Sequence, residues 1–198
     1  MSSRFLGSAV AVVALCASAS ASVIVTNSQT LWNLRVANGG QVVGTENFND
    51  FANGFYGSPV SDTLGNVVWT ASATSGLYVQ DGYFSTNNPE PLTFTFNPGV
   101  RAVAGNIFGT DINFSVVTCV VSVTLANGVS YEGISSSPTD FIGFYSTAAD
   151  ISSMTIVTSP LVTGSVYATI DNLYLAVPAP GAAALIGLAG LVTRRRRA

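Results

Sequence analysis

Two five-residue segments, Leu92-Thr-Phe-Thr-Phe96 and Val121-Ser-Val-Thr-Leu125, alternate apolar and hydroxyl residues without a break. Successive side chains of a strand point to opposite faces, so a period of two buries one face and wets the other. Ala126-Asn127-Gly128 follows the second segment and leads into Val129-Ser-Tyr131. Asn-Gly between alternating runs is a strong short-range hairpin signal. Further strands are expected at 23–26, 41–48, 66–71, 76–79, 100–104, 141–145, 151–157 and 165–175. Turn residues punctuate them at Gly57-Ser-Pro59, Asn88-Pro-Glu-Pro91, Asn97-Pro-Gly99 and Ser137-Pro138. Between residues 22 and 176 no segment carries a helical period, so short strands and frequent turns imply an all-β, antiparallel sandwich.

The last expected strand is irregular. Val166, Ala168 and Ile170 share one face, whereas Leu173 and Leu175 are out of phase with them. A β-bulge at Asp171-Asn172 would restore the phase, and bulges re-aim side chains, here Asp171.

The hydrophobic fraction, 48%, would suit a membrane protein, but the most apolar stretches lie at the two ends. Met1-Ser-Ser-Arg4 is a short basic start, residues 5–16 are an apolar run, and Ala19-Ser20-Ala21 offers small residues at the −3 and −1 positions. That run is shorter than the about 20 residues that span a bilayer core. Residues 1–21 therefore read as a cleavable signal peptide that addresses the chain to Sec-type export, with Ala19 and Ala21 at the cut. Cleavage would remove Cys16 and leave Cys119 single in an apolar run, where it reads as a small core residue.

The other end reads Val177-Pro178-Ala179-Pro180-Gly181, then an apolar run over 182–193, then Arg194, Arg195, Arg196 and Arg197. At about 1.5 Å per residue, such a helix covers roughly half of a bilayer core. The arginines would hold it at the cytoplasmic side. These three parts, in this order and position, resemble the PEP-CTERM sorting signal of exported bacterial proteins, with Ala179 where Glu is usual. The resemblance covers residues 177–198. It implies an inner-membrane intermediate held by the C-terminal hydrophobic helix, an exosortase-like processing enzyme, and a destination in the cell envelope or outside the cell.

Between the two ends, residues 22–176 hold all ten acids but only Arg35 and Arg101 of the seven basic residues. This acidic balance argues against nucleic acid and anionic lipid as partners. The chain has no His and no Lys, which excludes Ser-His-Asp and Cys-His nucleophile systems and Schiff-base lysines. What catalysis remains is carboxylate chemistry such as glycoside hydrolysis, with Glu46, Glu90 and Glu132 available.

Four stretches, Glu46-Asn-Phe-Asn-Asp-Phe51, Gly99-Val-Arg-Ala-Val-Ala-Gly105, Phe141-Ile-Gly-Phe-Tyr-Ser146 and Ala168-Thr-Ile-Asp-Asn-Leu-Tyr-Leu175, resemble the jelly-roll sandwiches of carbohydrate-binding modules. That resemblance implies a structural Ca2+ held by an early-strand Glu and a late-strand Asp, places that Glu46 and Asp171 fit. Asp50 would join them if the first and last strands pair, since calcium takes six to eight oxygens. The alternative is that these acids are solvated loop residues or caps. Sugar binding is expected of Tyr78, Asp81 and Tyr83 in Tyr78-Val-Gln-Asp-Gly-Tyr-Phe84 and of Tyr56 in Asn53-Gly-Phe-Tyr56, because rings stack on sugars while nearby polar groups orient the hydroxyls. The alternative for such aromatics is the core, and Trp69 in Val67-Val-Trp69 reads as buried. The expected role is adhesion or binding of extracellular polysaccharide without catalysis. A purely structural matrix protein and a carboxylate glycosidase are the other readings.

Overall fold

The computed structural model describes residues 22–179. The expected signal peptide, with Ala19 and Ala21, lies outside these residues, as do Pro180, Gly181, the apolar run at 182–193 and Arg194 to Arg197. Among the described residues no helix is long and apolar enough to cross a membrane.

Two antiparallel sheets face each other and form a β-sandwich. The nine-stranded sheet contains β1 (Val23–Thr26), β2 (Gln41–Glu46), β3 (Gly54–Tyr56), β6 (Leu77–Gln80), β7 (Tyr83–Thr86), β9 (Ala102–Thr110), β10 (Val116–Val117), β13 (Phe141–Ser146) and β15 (Tyr167–Pro178). The six-stranded sheet contains β4 (Val60–Leu64), β5 (Val67–Ser72), β8 (Leu92–Phe96), β11 (Cys119–Leu125), β12 (Ser130–Ser135) and β14 (Ser153–Pro160). The strictly alternating segments, β8 and β11, are inner strands of the smaller sheet, and their apolar residues face the core. The Asn-Gly hairpin joins β11 to β12, with Gly128 at φ 85°.

The core between the sheets is aromatic at its centre. Phe48 packs against Phe84 at 4.9 Å and meets Trp69 edge-on at 5.7 Å. Trp69 is fully buried, as its sequence context implied, and so is Cys119. Phe48 holds φ 56°, a costly conformation for a bulky residue. Its N–H donates to Glu46 Oε1 at 2.8 Å, and the surrounding rings fix the side chain.

The bulge on the last strand is present. β15 pairs with β9 along its length, but the register shifts between Asp171 and Tyr174, and Asn172 takes φ 53°. Ala168, Ile170, Leu173 and Leu175 consequently all enter the same core. The bulge also marks a change of neighbour: Thr169 and Ile170 pair with β7, whereas Leu173 to Pro178 pair with β2. Val177 and Pro178 thus belong to a strand, and the Ala179 N–H donates to Gly40 O at 3.0 Å.

One expectation is corrected. Residues Gln29–Asn38 form a helix, α1, where no helical period was visible. Ser28 caps it by accepting the Leu31 N–H, and Gly40 follows its end at φ 65°, in keeping with the preference for Ser before and Gly after a helix. Only Trp32 and Val36, one turn apart, are buried, while Leu31 and Leu34 stay exposed at 52% and 56%. A stripe of two residues is too narrow to register as a period of 3.6.

Candidate functional site

The outer face of the nine-stranded sheet is divided. Under α1, Trp32 and Val36 pack on Ala102 and Ala104 of β9, Phe141 of β13 and Ala176 of β15. The Trp32 indole N–H donates to Phe144 O at 3.0 Å. Trp32 is therefore a covered anchor with no free face for a ligand.

The opposite end of the same face is open and carries a cleft of about 570 Å³. Its rings are Tyr78 on β6, Tyr83 on β7, Tyr167 at the start of β15, and Phe114 in the turn between β9 and β10. All four are partly exposed. Tyr78 lies beside Phe114 with ring centroids 5.4 Å apart, and Tyr83 meets the buried Phe108 edge-on at 5.0 Å. Polar groups interleave with the rings: Gln80, Asp81 and Asn87 from β6, β7 and their flanks, Asp111 and Asn113 from the β9–β10 turn.

Two turns hold these groups. Gln80 pairs with Tyr83 across Asp81-Gly82, both at positive φ (52° and 83°). This two-residue loop is the tight hairpin whose twist matches its strands, and Asp and Gly tolerate it best. Asn53 clamps it reciprocally, donating to Asp81 Oδ1 and accepting the Asp81 N–H, each at 2.8 Å. The side-chain hydrogen bond from Asn53, followed by that from Gln80, holds the Asp81 carboxyl below its ordinary value. The second turn is organised by Asp111, whose Oδ1 accepts the N–H groups of Asn113 at 2.8 Å and Ser115 at 3.0 Å. There Phe114 sits at φ 60°, and Ile112 projects 75% exposed.

Beneath the rings runs a chain of buried hydroxyls. Thr169 Oγ1 lies 2.9 Å from Ser85 Oγ and 2.8 Å from Thr110 Oγ1. Ser85 lines the cleft, whereas Thr86, opposite the core residue Leu77, directs its side chain to the other face of the sheet.

Of the four expected sugar-binding residues, Tyr78, Asp81 and Tyr83 come together here. Tyr56 does not line the cleft. It packs on Phe51 at 5.7 Å and donates its hydroxyl to Ala52 O. Tyr167, Phe114, Asp111 and Asn113 were not anticipated. The signals for them were faint, although the Asp81-Gly82 dipeptide between two apolar alternations could have revealed β7.

The expected calcium ligands are not gathered into one group among the described residues. Among the described residues no three Cys, Asp or Glu side chains form a metal-holding group. β2 and β15 do pair, with Glu46 opposite Leu173. Cross-strand partners project to one face, so Glu46 shares the core-directed face of Leu173. Asp171, opposite Asn106, lies before the bulge and takes the outer face. The bulge thus turns the two carboxylates away from each other, and Asp50 is exposed in a turn. Burial pushes the Asp171 carboxyl up, partly offset by the Asn172 N–H.

The glutamates are separately engaged. Glu46 caps Phe48, Glu90 accepts the Ser75 N–H at 2.7 Å, and Glu132 on β12 accepts the Ser122 hydroxyl at 3.0 Å. None of the three lines the cleft.

No protein-family model matches the chain, and no curated protein matches it significantly. The chemistry of the cleft itself therefore carries the functional reading.

Proposed function

We propose that this chain is an exported β-sandwich of the bacterial envelope or matrix that binds extracellular polysaccharide without catalysis. The observation that carries this reading is the cleft at the open end of the larger sheet. Partly exposed Tyr78, Tyr83, Tyr167 and Phe114 alternate there with acid and amide groups. Rings offer an apolar face to the C–H side of a sugar, and carboxylates and amides accept and donate to its hydroxyls. In its finer topology the sandwich is of the jelly-roll kind.

The delivery route belongs to the same reading. Residues 1–21 direct export through Sec-type machinery. The tail beginning at Val177 holds the chain in the inner membrane until an exosortase-like enzyme acts on it. The support is the order basic–apolar–small at one end and Pro-rich–apolar–Arg at the other. Intact mass of protein from the native envelope tests this, since a processed form lacks Arg194 to Arg197.

The binding reading is tested by retention on immobilised polysaccharides, with reducing-end release followed in parallel. The expected result is retention of at least one polymer, weakened tenfold or more in Tyr78→Ala and Tyr83→Ala, with no release of sugar. Release of sugar that disappears in a Glu→Gln variant would replace this reading with a glycosidase. Absence of retention would favour a structural matrix protein.

A further inference from the structure

Resting on the polysaccharide reading, we propose that the cleft selects uncharged glycans and rejects chains bearing carboxylate or sulfate groups, with Asp81 and Asp111 as the discriminating residues. The two acids line the same cleft, one from the β6–β7 hairpin and one from the β9–β10 turn. A bound chain passes within reach of both.

Among the described residues no basic side chain lines the cleft. The described residues contain two basic side chains, Arg35 and Arg101. Arg101 precedes the first residue of β9, whereas Asp111 follows its last. Nine residues of strand separate them, roughly 30 Å at about 3.3 Å per residue. Arg101 is also engaged with Asp150 at 3.8 Å. Arg35 belongs to α1, which covers the Ala102 and Ala104 end of the same strand. The Debye length is about 8 Å at physiological salt, so the Arg101 guanidinium is not felt at Asp111.

The hydrogen-bonding capacity of the two acids points the same way. An ionised carboxylate only accepts, and it has about four lone-pair sites. Asp81 gives one site on Oδ1 to Asn53 and one on Oδ2 to Gln80. Asp111 commits Oδ1 to its own turn. The remaining sites are filled by donors, and the donors of a glycan are its hydroxyls. A uronate or sulfate brings further acceptors and a like charge to a place that accepts neither.

The experiment uses the purified protein on a panel of neutral polymers (glucans, mannans, galactans, xylans) and acidic ones (polygalacturonate, alginate, hyaluronate, carrageenan). EDTA is present so that cations cannot bridge, and each polymer is run at 20 and 150 mM NaCl. The best-retained polymer is expected to be neutral, with affinity changing less than about twofold between the two salt concentrations. Acidic polymers of matched backbone are expected to bind at least about tenfold more weakly, with the gap narrowing at higher salt. In Asp81→Asn/Asp111→Asn that gap should shrink to about threefold or less. Asn still accepts through Oδ1 the bonds from Asn53 at position 81 and from Asn113 and Ser115 at position 111, losing only the Gln80 bond, it tolerates positive φ, and thermal melting verifies that the variant is folded. An acidic polymer binding as well as the best neutral one, or a gap unmoved by the double substitution, overturns the proposal while leaving polysaccharide binding intact. Failure of every polymer to respond to Tyr78→Ala and Tyr83→Ala overturns the binding reading as well.

Discussion

At one end of the outer face of the nine-stranded sheet, Ala102, Ala104, Ala176 and Gly143 lie beneath α1. At the other end, Tyr83, Ser85, Thr169 and Thr110 lie beneath no element. Small side chains let a helix approach the sheet closely enough for one tryptophan to fill the gap. A Cβ on Gly143 would stand 2.5 Å from Trp32 Cδ1, so the space is already used. The open end instead pairs large rings with hydroxyls bonded to one another, which gives a floor that is satisfied without a cover. The same strands, β9 and β15, serve both ends. The difference lies in side-chain size and polarity along these strands and in the neighbour of β15, which changes from β7 to β2 at the bulge.

That comparison can be broken most directly at Trp32. Trp32→Ala removes a fully buried anchor and is expected to cost about 3–5 kcal/mol, read as a fall in melting temperature of about 6–20 °C. A fall of only a degree or two would mean that α1 is not an integral cover. Gly143→Ala, which overpacks the same seam, should cost about 1–3 kcal/mol by chemical denaturation, with Trp32→Phe in the same background recovering part of the loss.

Tyr78→Ala probes the opposite end. Its ring is partly exposed and its aromatic neighbour, Phe114, lies in a turn, so stability should change by about 1 kcal/mol or less, while retention of polysaccharide falls. Were it to destabilise the protein as much as Trp32→Ala, the open end would be core and not a site.

The smallest effect is expected at Asp171, which sits at the bulge between the two ends. Burial raises its carboxyl above the ordinary value of 3.8, so the folded state favours the protonated form. The contribution is complete below that value and is lost as pH rises through it towards the raised one. Asp171→Asn should flatten this decline above pH 3.8 in urea melts. An unchanged slope would mean that the carboxyl is solvated in the fold.

Much of the architecture was legible because strands announce themselves locally. β8 was expected with the bounds it has, and the phase slip at Asp171-Asn172 was visible as two apolar sets out of step. The short strands β3, β4, β7 and β10 were not, because two to five residues with few apolar positions carry little periodic signal. α1 was hidden for a related reason: a helix anchored by Trp32 and Val36 alone exposes most of its surface. In the site, Tyr78, Asp81 and Tyr83 were found because they flank one hairpin and are adjacent in sequence. Tyr167, Phe114 and Asp111 reach the same cleft from strands far away along the chain, and no local pattern joins them.

By itself the sequence determined the all-β class, the phase of the last strand, and the chemistry left available to a chain without His or Lys. Those properties follow from side-chain period and composition, which act over a few residues. Tertiary structure alone decided which face each carboxylate took. It set Glu46 on the core-directed face and Asp171 outward, and it brought Asp81 and Asp111 into the lining of one cleft. Register and the bulge fix those outcomes, and both depend on which strands pair across long stretches of chain.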